Sequence, residues 1–194
     1  MKRALITGIT GQDGHYLTKF LQQEDYEVHG YVRRNEAAPK GVIAHIGDLL
    51  DPSALRRALV ESDPSEVYNL GAQSHVGASF LDPHHSMRVC YEPLLTILEQ
   101  LRQSNRGCRV YQASSSEMFG DALPPQSERT FFNPRSPYAV AKLSAHHLLR
   151  IFRDGYGMFA VGGILFNHES PIRPTAFVTR KITHGVARIA MGDA

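Results

Sequence analysis

Short runs of apolar, β-prone residues alternate with longer stretches of helical periodicity along most of this chain, and that alternation restricts the fold more than any other feature. Strands are predicted at 4–7, 27–32, 42–46, 66–70, 109–113 and 158–166. Between them the apolar spacing turns helical at 16–23, 54–60, 87–103 and 137–152. Asp51-Pro52-Ser53 supplies a helix start, with proline near the first turn. Strand–helix alternation predicts an α/β architecture: a doubly wound parallel sheet with helices on both faces and ligands at the C-terminal ends of its strands. A chain of 194 residues is long enough for one core burying about 70% of the unfolded surface. After Asn167 the pattern changes. Pro171 and Pro174 interrupt it, and a helix follows over 177–190. A smaller C-terminal lobe is expected to begin at 167–194 and to be incomplete there.

The charge balance excludes some partners. Lys plus Arg number 21 against 19 Asp plus Glu, a net charge of +2, which gives no electrostatic grip on nucleic acid. Two cysteines, Cys90 and Cys108, are too few for a disulfide framework. The N-terminus reaches Thr7-Gly8 before a signal-peptide core can form, and no apolar run has membrane-spanning length. A cytoplasmic protein is expected, with no membrane partner. The adjacent pairs His84-His85 and His146-His147 diverge on a helix and have no Cys or carboxylate at ligand spacing, so they read as solvated surface histidines and no metal is expected.

Gly8-Ile9-Thr10-Gly11-Gln12-Asp13-Gly14 lies between the first strand and the first helix. Glycines there let backbone N–H groups approach a pyrophosphate, which a helix N-terminus favours electrostatically. The spacing departs by one residue from the dinucleotide fingerprint, but its strand–helix context fits. A Rossmann-like dinucleotide-binding domain is therefore expected over 1–166. The second strand ends in Arg33-Arg34, where an acidic residue would hold the ribose 2′-hydroxyl of NAD and arginine suits the 2′-phosphate of NADP. Asp48-Leu49 closes the third strand, its carboxylate placed to accept from an adenine amino group. Leu70-Gly71-Ala72-Gln73-Ser74 closes the fourth, where small residues let a cofactor pass.

Tyr138 and Lys142 stand four residues apart just after Pro137, which puts both on one helical face a turn apart. A lysine ammonium there is expected to lower the pKa of the phenol, preparing it to take a proton from a sugar hydroxyl while hydride leaves the same carbon. Ser114-Ser115-Ser116-Glu117 follows the fifth strand. A hydroxyl there can bind the reacting oxygen, and a carboxylate can transfer a proton. A plain dehydrogenase does not need that acid, whereas a dehydratase does.

With these pieces in place the chain resembles the GDP-mannose 4,6-dehydratase family of extended short-chain dehydrogenases/reductases. The resemblance covers nearly the whole chain, through the glycine turn, Arg33-Arg34, Gly47-Asp48-Leu49, Tyr68 to Val76 and Pro134 to Lys142. Its most specific parts are Gly163-Ile164-Leu165-Phe166-Asn167-His168-Glu169-Ser170-Pro171 and Phe177-Val178-Thr179-Arg180-Lys181-Ile182. It implies that Tyr138 deprotonates the C4 hydroxyl as NADP+ takes the C4 hydride, and that Glu117 removes the C5 proton and assists loss of the C6 hydroxyl as water. The hydride then returns to C6, giving GDP-4-dehydro-6-deoxymannose. By the same resemblance Ser115 holds the C4 oxygen where the family has threonine, and Lys142 binds the nicotinamide ribose and tunes Tyr138. His168 and Arg173 match cofactor contacts, while Ser74, Asn167, Val178 and Lys181 match the region that meets the GDP-sugar.

Several residues depart from the family pattern. The segment after the paired arginines, 35–40, is shorter than the family's, which implies a homodimer through the long helices and no tetramer built through that segment. Pro93 and Pro174 replace family glycines, Cys90 stands where asparagine or aspartate is usual, and family members continue past Ala194. Two alternatives stay open: a related nucleotide-sugar reductase or epimerase, which keeps Tyr138 and Lys142 without needing Glu117, and an NADP-binding fragment without turnover.

Overall fold

The computed structural model describes residues 1–104 and 107–193; Ala194, the last residue of the expected second lobe, lies outside them. Six strands form one parallel sheet: β1 (Arg3–Thr7), β2 (Glu27–Val32), β3 (Ile43–Ile46), β4 (Glu66–Asn69), β5 (Arg109–Ser115) and β6 (Ala160–Leu165). Their spatial order is β3-β2-β1-β4-β5-β6, so the direction of winding reverses between β1 and β4. At such a reversal the connecting loops part and leave a crevice beyond the strand ends.

The period-two pattern of β1 explains its central place. Leu5 enters a core built with α2 (Pro52–Ser62), α4 (Pro83–Ser104) and α5 (Pro137–Tyr156), whereas Ala4 and Ile6 face Leu21 of α1 (Gln12–Gln23) on the opposite side. The larger core centres on Leu55, Leu94, Ile97, Leu98, Val110 and Leu149, each at most 1% exposed. Full burial of such a side chain contributes about 1.5–3 kcal/mol. The other face is thinner. Residues 33–42 link β2 to β3 without a helix, so among the described residues α1 is the only helix packed there, with Ala38 and Val42 of the link beside it; Tyr68 and Tyr111 stay partly exposed and Val161 is exposed.

Capping chemistry sets the helix starts. Asp51 accepts from the Ser53 and Ala54 amides ahead of α2, and Ser136 accepts from the Ala139 amide ahead of α5, each with proline in the first turn. Gly157, at φ 66°, ends α5. α4 begins four residues before the predicted 87 and runs through Pro93, which is buried and carries no amide to donate. A six-residue helix, α3 (Val76–Leu81), precedes it, capped by the His75 ring accepting from the Ala78 amide; the sequence pattern did not reveal it. β5 extends two residues beyond its predicted end, because Ser114 and Ser115 pair in register with Ile164 and Leu165 of β6. A 3₁₀ turn, Ser116–Phe119, follows. The predicted C-terminal helix is α6 (Val178–Ala190), none of whose residues is buried.

Candidate active site

A cleft of about 860 Å³ opens over the C-terminal ends of the strands, at the winding reversal. Its floor rests on a buried polar chain that crosses three strands. Thr7 Oγ1 donates to Asn69 Oδ1 (2.6 Å), Asn69 Nδ2 donates to Gln112 Oε1 (2.6 Å), and Gln112 Nε2 donates to the Ala113 carbonyl (2.9 Å). Thr7 Oγ1 also accepts from the Gly71 amide at 3.1 Å, which locks the end of β1 to the exit of β4. Buried polar groups persist only when partnered in this way.

At one end lies the glycine turn. Gly8 has φ 67°, and a Cβ on it would stand 2.7 Å from the Gly71 amide nitrogen, so side chains are excluded on both geometric counts. A Cβ on Gly14 would stand 2.5 Å from the Ile9 Cα. Gly11 precedes α1 with no side chain capping the helix, so the amides of its first turn face the cleft. Thr10, Gln12 and Asp13 line the same end, with Asp48 and Leu49 from beyond β3 and Leu70, Ala72, Gln73 and Ser74 from beyond β4. Gln73 Nε2 donates to the His75 carbonyl, whereas its Oε1 is buried without a partner. A buried acceptor left open beside a glycine cradle fits a hydrogen-bonding dinucleotide.

The paired arginines separate. Arg33 lines the cleft and Arg34 does not; it is exposed outside. The chain leaves β2 at Val32 and turns at once, the Glu36 amide donating to the Arg33 carbonyl, so that Arg34 sits on the turn and outside the cleft. Arg33 is bound by Glu36, a cleft residue absent from the sequence expectation although its i, i+3 charge pairing was visible.

At the other end Ser115, Glu117, Tyr138 and Lys142 come together. Ser115 Oγ accepts from the Glu117 amide at 3.2 Å, fixing the 3₁₀ turn that carries the carboxylate. The expectation that Lys142 lowers the Tyr138 pKa is corrected. Lys142 is 3% exposed, its Nζ donates to the Ala113 carbonyl at 2.8 Å, and it sits 5.7 Å from the phenol ring centroid. Burial depresses the ammonium pKa, with Cys90 opposing. Burial also pushes the Tyr138 phenol up to about 12, and the counteracting contact is its hydrogen bond with Ser115; the charges of Cys90 and Glu117 add to the rise. Desolvation decides the Tyr138 pKa, and Lys142 is not among the groups that lower it.

The segment after β6 folds back over the glycine turn. His168 Nδ1 meets the Phe166 carbonyl at 2.7 Å and its Nε2 meets Asp13 Oδ1 at 2.7 Å, while Gln12 Nε2 donates to the His168 carbonyl and Ser170 Oγ donates to Gln12 Oε1. The Phe166 carbonyl first and Asp13 second raise the His168 pKa. Arg173 lays its guanidinium over the Phe177 ring, 3.6 Å from the centroid, with its buried Nε paired to Glu169 Oε2 at 3.7 Å, beyond hydrogen-bond distance. Asn167, Val178 and Lys181 complete this wall. His75, His85 and Phe177 also line it and were not predicted as site residues. Nor is His146 a solvated surface residue: it is half-buried, meets Ser114 Oγ at 3.3 Å, and has its pKa lowered mainly by burial. Among the described residues no three His, Cys, Asp or Glu side chains converge on one point, and no helix is long and apolar enough to cross a membrane.

Among parallel-sheet proteins, a tyrosine and lysine one turn apart beneath a glycine-lined strand end mark the extended short-chain dehydrogenase/reductase class, and this chain is of that class. Its fold matches UDP-glucose 4-epimerase of Thermus thermophilus in complex with NAD, at a TM-score of 0.87 and 27% identity over 98% of this chain and 63% of the other. It also matches RMD from Pseudomonas aeruginosa complexed with NADPH, at a TM-score of 0.81 and 26% identity over 100% and 64% of the two chains. A family model described as GDP-mannose 4,6 dehydratase matches residues 5–194. GDP-mannose 4,6 dehydratase 1 of Arabidopsis thaliana is 50% identical over 98% of this chain and 58% of its own length; the Homo sapiens GDP-mannose 4,6 dehydratase is 46% identical over 98% and 56%. The chain belongs to the GDP-mannose 4,6 dehydratase family, and it spans a little over half the length of these relatives.

Proposed function

We propose that this chain carries the dinucleotide cradle and the proton-transfer groups of a hydro-lyase that converts GDP-mannose to GDP-4-dehydro-6-deoxymannose, with NADP as its cofactor. The carrying observation is that Glu117 enters the same cleft wall as Tyr138 and Ser115, two residues from Ser115 along a 3₁₀ turn. A bound nicotinamide supplies a hydride acceptor that becomes a donor and is restored within one turnover. Ser115 holds the C4 oxygen, and Tyr138 takes its proton in the phenolate form, which burial disfavours and the Ser115 contact favours. Glu117 then removes the C5 proton, acidified by the new C4 ketone, and passes it to the departing C6 hydroxyl so that water leaves; the hydride taken from C4 would return to C6 and Tyr138 would give its proton to C5, so that one water is the net loss. Lys142, tied to the Ala113 carbonyl, fixes the helix face that presents Tyr138 and meets the nicotinamide ribose. The glycine turn and the α1 N-terminus take the pyrophosphate, and Arg33 meets the 2′-phosphate, while Arg34, exposed outside the cleft lining, adds only its charge nearby. Asp48 and Leu49 meet the adenine, while Leu70 to Ser74, His168 and Arg173 complete the cofactor wall. Ser74, Asn167, Val178 and Lys181 meet the GDP-sugar, and residues from 167 onward begin the lobe for it. Pairing with a second copy belongs to the same reading; α4 and α5 are 22 and 20 residues long, and α5 leaves Val140 and Ile151 exposed on one face.

Incubation of GDP-mannose with the full-length protein containing this chain should yield a 4-keto-6-deoxy sugar nucleotide. Its absence would sink the dehydratase reading. Glu117→Gln should abolish elimination while dinucleotide binding persists; a variant that still eliminates water would remove Glu117 from the proton-transfer role, and a product other than the 4-keto-6-deoxy sugar nucleotide would transfer the reading to a reductase or epimerase.

A further inference from the structure

The end of the cleft beyond β2 carries an acid and a base that already satisfy each other. A turn closed by the Glu36 amide donating to the Arg33 carbonyl at 3.0 Å brings the Glu36 side chain back alongside Arg33. Glu36 Oε1 accepts from both Nε (3.0 Å) and Nη2 of Arg33, which is the edge a guanidinium uses for two-point binding of an oxyanion. Glu36 Oε2 accepts from the Thr10 hydroxyl at 3.2 Å, which links the exit of β2 to the glycine turn, and lies 3.5 Å from the Arg33 amide. The carboxylate is three-quarters buried, the guanidinium largely exposed, and both border the cleft. Arg34 lies outside the cleft lining and offers no second edge there.

An arginine fork cannot present the same edge to two anions. A ribose 2′-phosphate approaching Arg33 must either displace Glu36 or accept the remaining nitrogen beside a second negative charge. A free ribose diol meets no such conflict, since it can donate to the carboxylate. We propose that Glu36 is a specificity-determining residue, an internal counter-anion that holds Arg33 and thereby limits how strongly this chain favours a 2′-phosphorylated dinucleotide over one with a free 2′-hydroxyl. The inference rests on the reading that the cleft takes a nicotinamide dinucleotide, and goes beyond it by assigning the discrimination to a residue of the short segment after β2.

Titration of the whole chain with NADPH and with NADH, followed by nicotinamide fluorescence, tests it. The wild type should bind the two within about tenfold of each other, and Glu36→Gln should tighten NADPH by about tenfold or more without tightening NADH. Arg33→Met alone should weaken NADPH by less than about threefold, but in the Glu36→Gln background it should remove the whole gain. Glu36→Ala, with its thermal midpoint measured alongside, should repeat the effect of Glu36→Gln. An unchanged NADPH-to-NADH ratio in both Glu36 variants overturns the proposal, as does equal tightening of the two dinucleotides, which would reflect general charge. Binding of neither dinucleotide to any variant removes the nicotinamide reading itself, and this inference with it.

Discussion

Burial and one hydrogen bond decide where the proton sits on Tyr138. The phenol is pushed up to about 12 by desolvation, and Ser115 is the contact that pulls the other way. Ser115→Ala should therefore raise the Tyr138 pKa further, read from the ring carbon shifts of labelled tyrosine during a pH titration; a fall would mean that the hydroxyl stabilises the neutral phenol. At His168 hydrogen bonds, and not burial, raise the pKa. Its pKa is raised above the ordinary 6.5 by the Phe166 carbonyl first and Asp13 second. A raised folded-state pKa contributes stability that is fully present below 6.5 and is lost as pH rises through the folded value. NMR titration of the His168 ring should place its midpoint above 6.5, and Asp13→Asn should lower it. His168→Gln should accordingly destabilise the chain more at about pH 6 than at about pH 8. Neither environment could be read from spacing. Tyr138 and Lys142 stood out because four residues make one helical turn, but the carbonyl that captures the ammonium comes from a strand 29 residues away.

At the scale of elements, caps and buried polar contacts hold the Tyr138 end of the cleft in place. Ser136→Ala deletes the cap that orients the first turn of α5, two residues before Tyr138, and should cost about 1 kcal/mol in denaturant unfolding. Asn69→Ala breaks the chain between Thr7 and Gln112 and leaves buried polar atoms on both neighbours unpaired, for a loss of about 2 kcal/mol. The strands were legible because their apolar runs are short, β-branched and bounded by turn residues. Ser114 and Ser115 were hidden, since serine has no strand preference and only the register with Ile164 and Leu165 extends β5 through them. α3 was hidden as well, being under two turns long and capped by a histidine. Glu36 displayed its charge spacing in the sequence, yet only the turn after β2 shows that its carboxylate returns to the glycine loop.

At the scale of the whole molecule the sheet was legible and the second wall of the cleft was only half so. Motifs at 167–182 identified the residues of that wall, but not that α6 stands without a buried side chain. Ile182, Val186 and Ile189 recur at helical spacing on α6 and are each at least 59% exposed. Ile182→Asp combined with Val186→Asp should shift the unfolding free energy by less than about 0.5 kcal/mol, while reducing binding of a hydrophobic dye; a large destabilisation would show that this helix packs against the sheet in solution. The bridge from Gln12 and Asp13 to His168 and Ser170 also has a temporal meaning. During synthesis β1 can pair with β2 almost as soon as both have left the ribosome, but the glycine turn between β1 and α1 stays open on its upper side until more than 150 further residues have followed. The nucleotide cradle is thus among the first parts of the chain to be made and among the last to be closed.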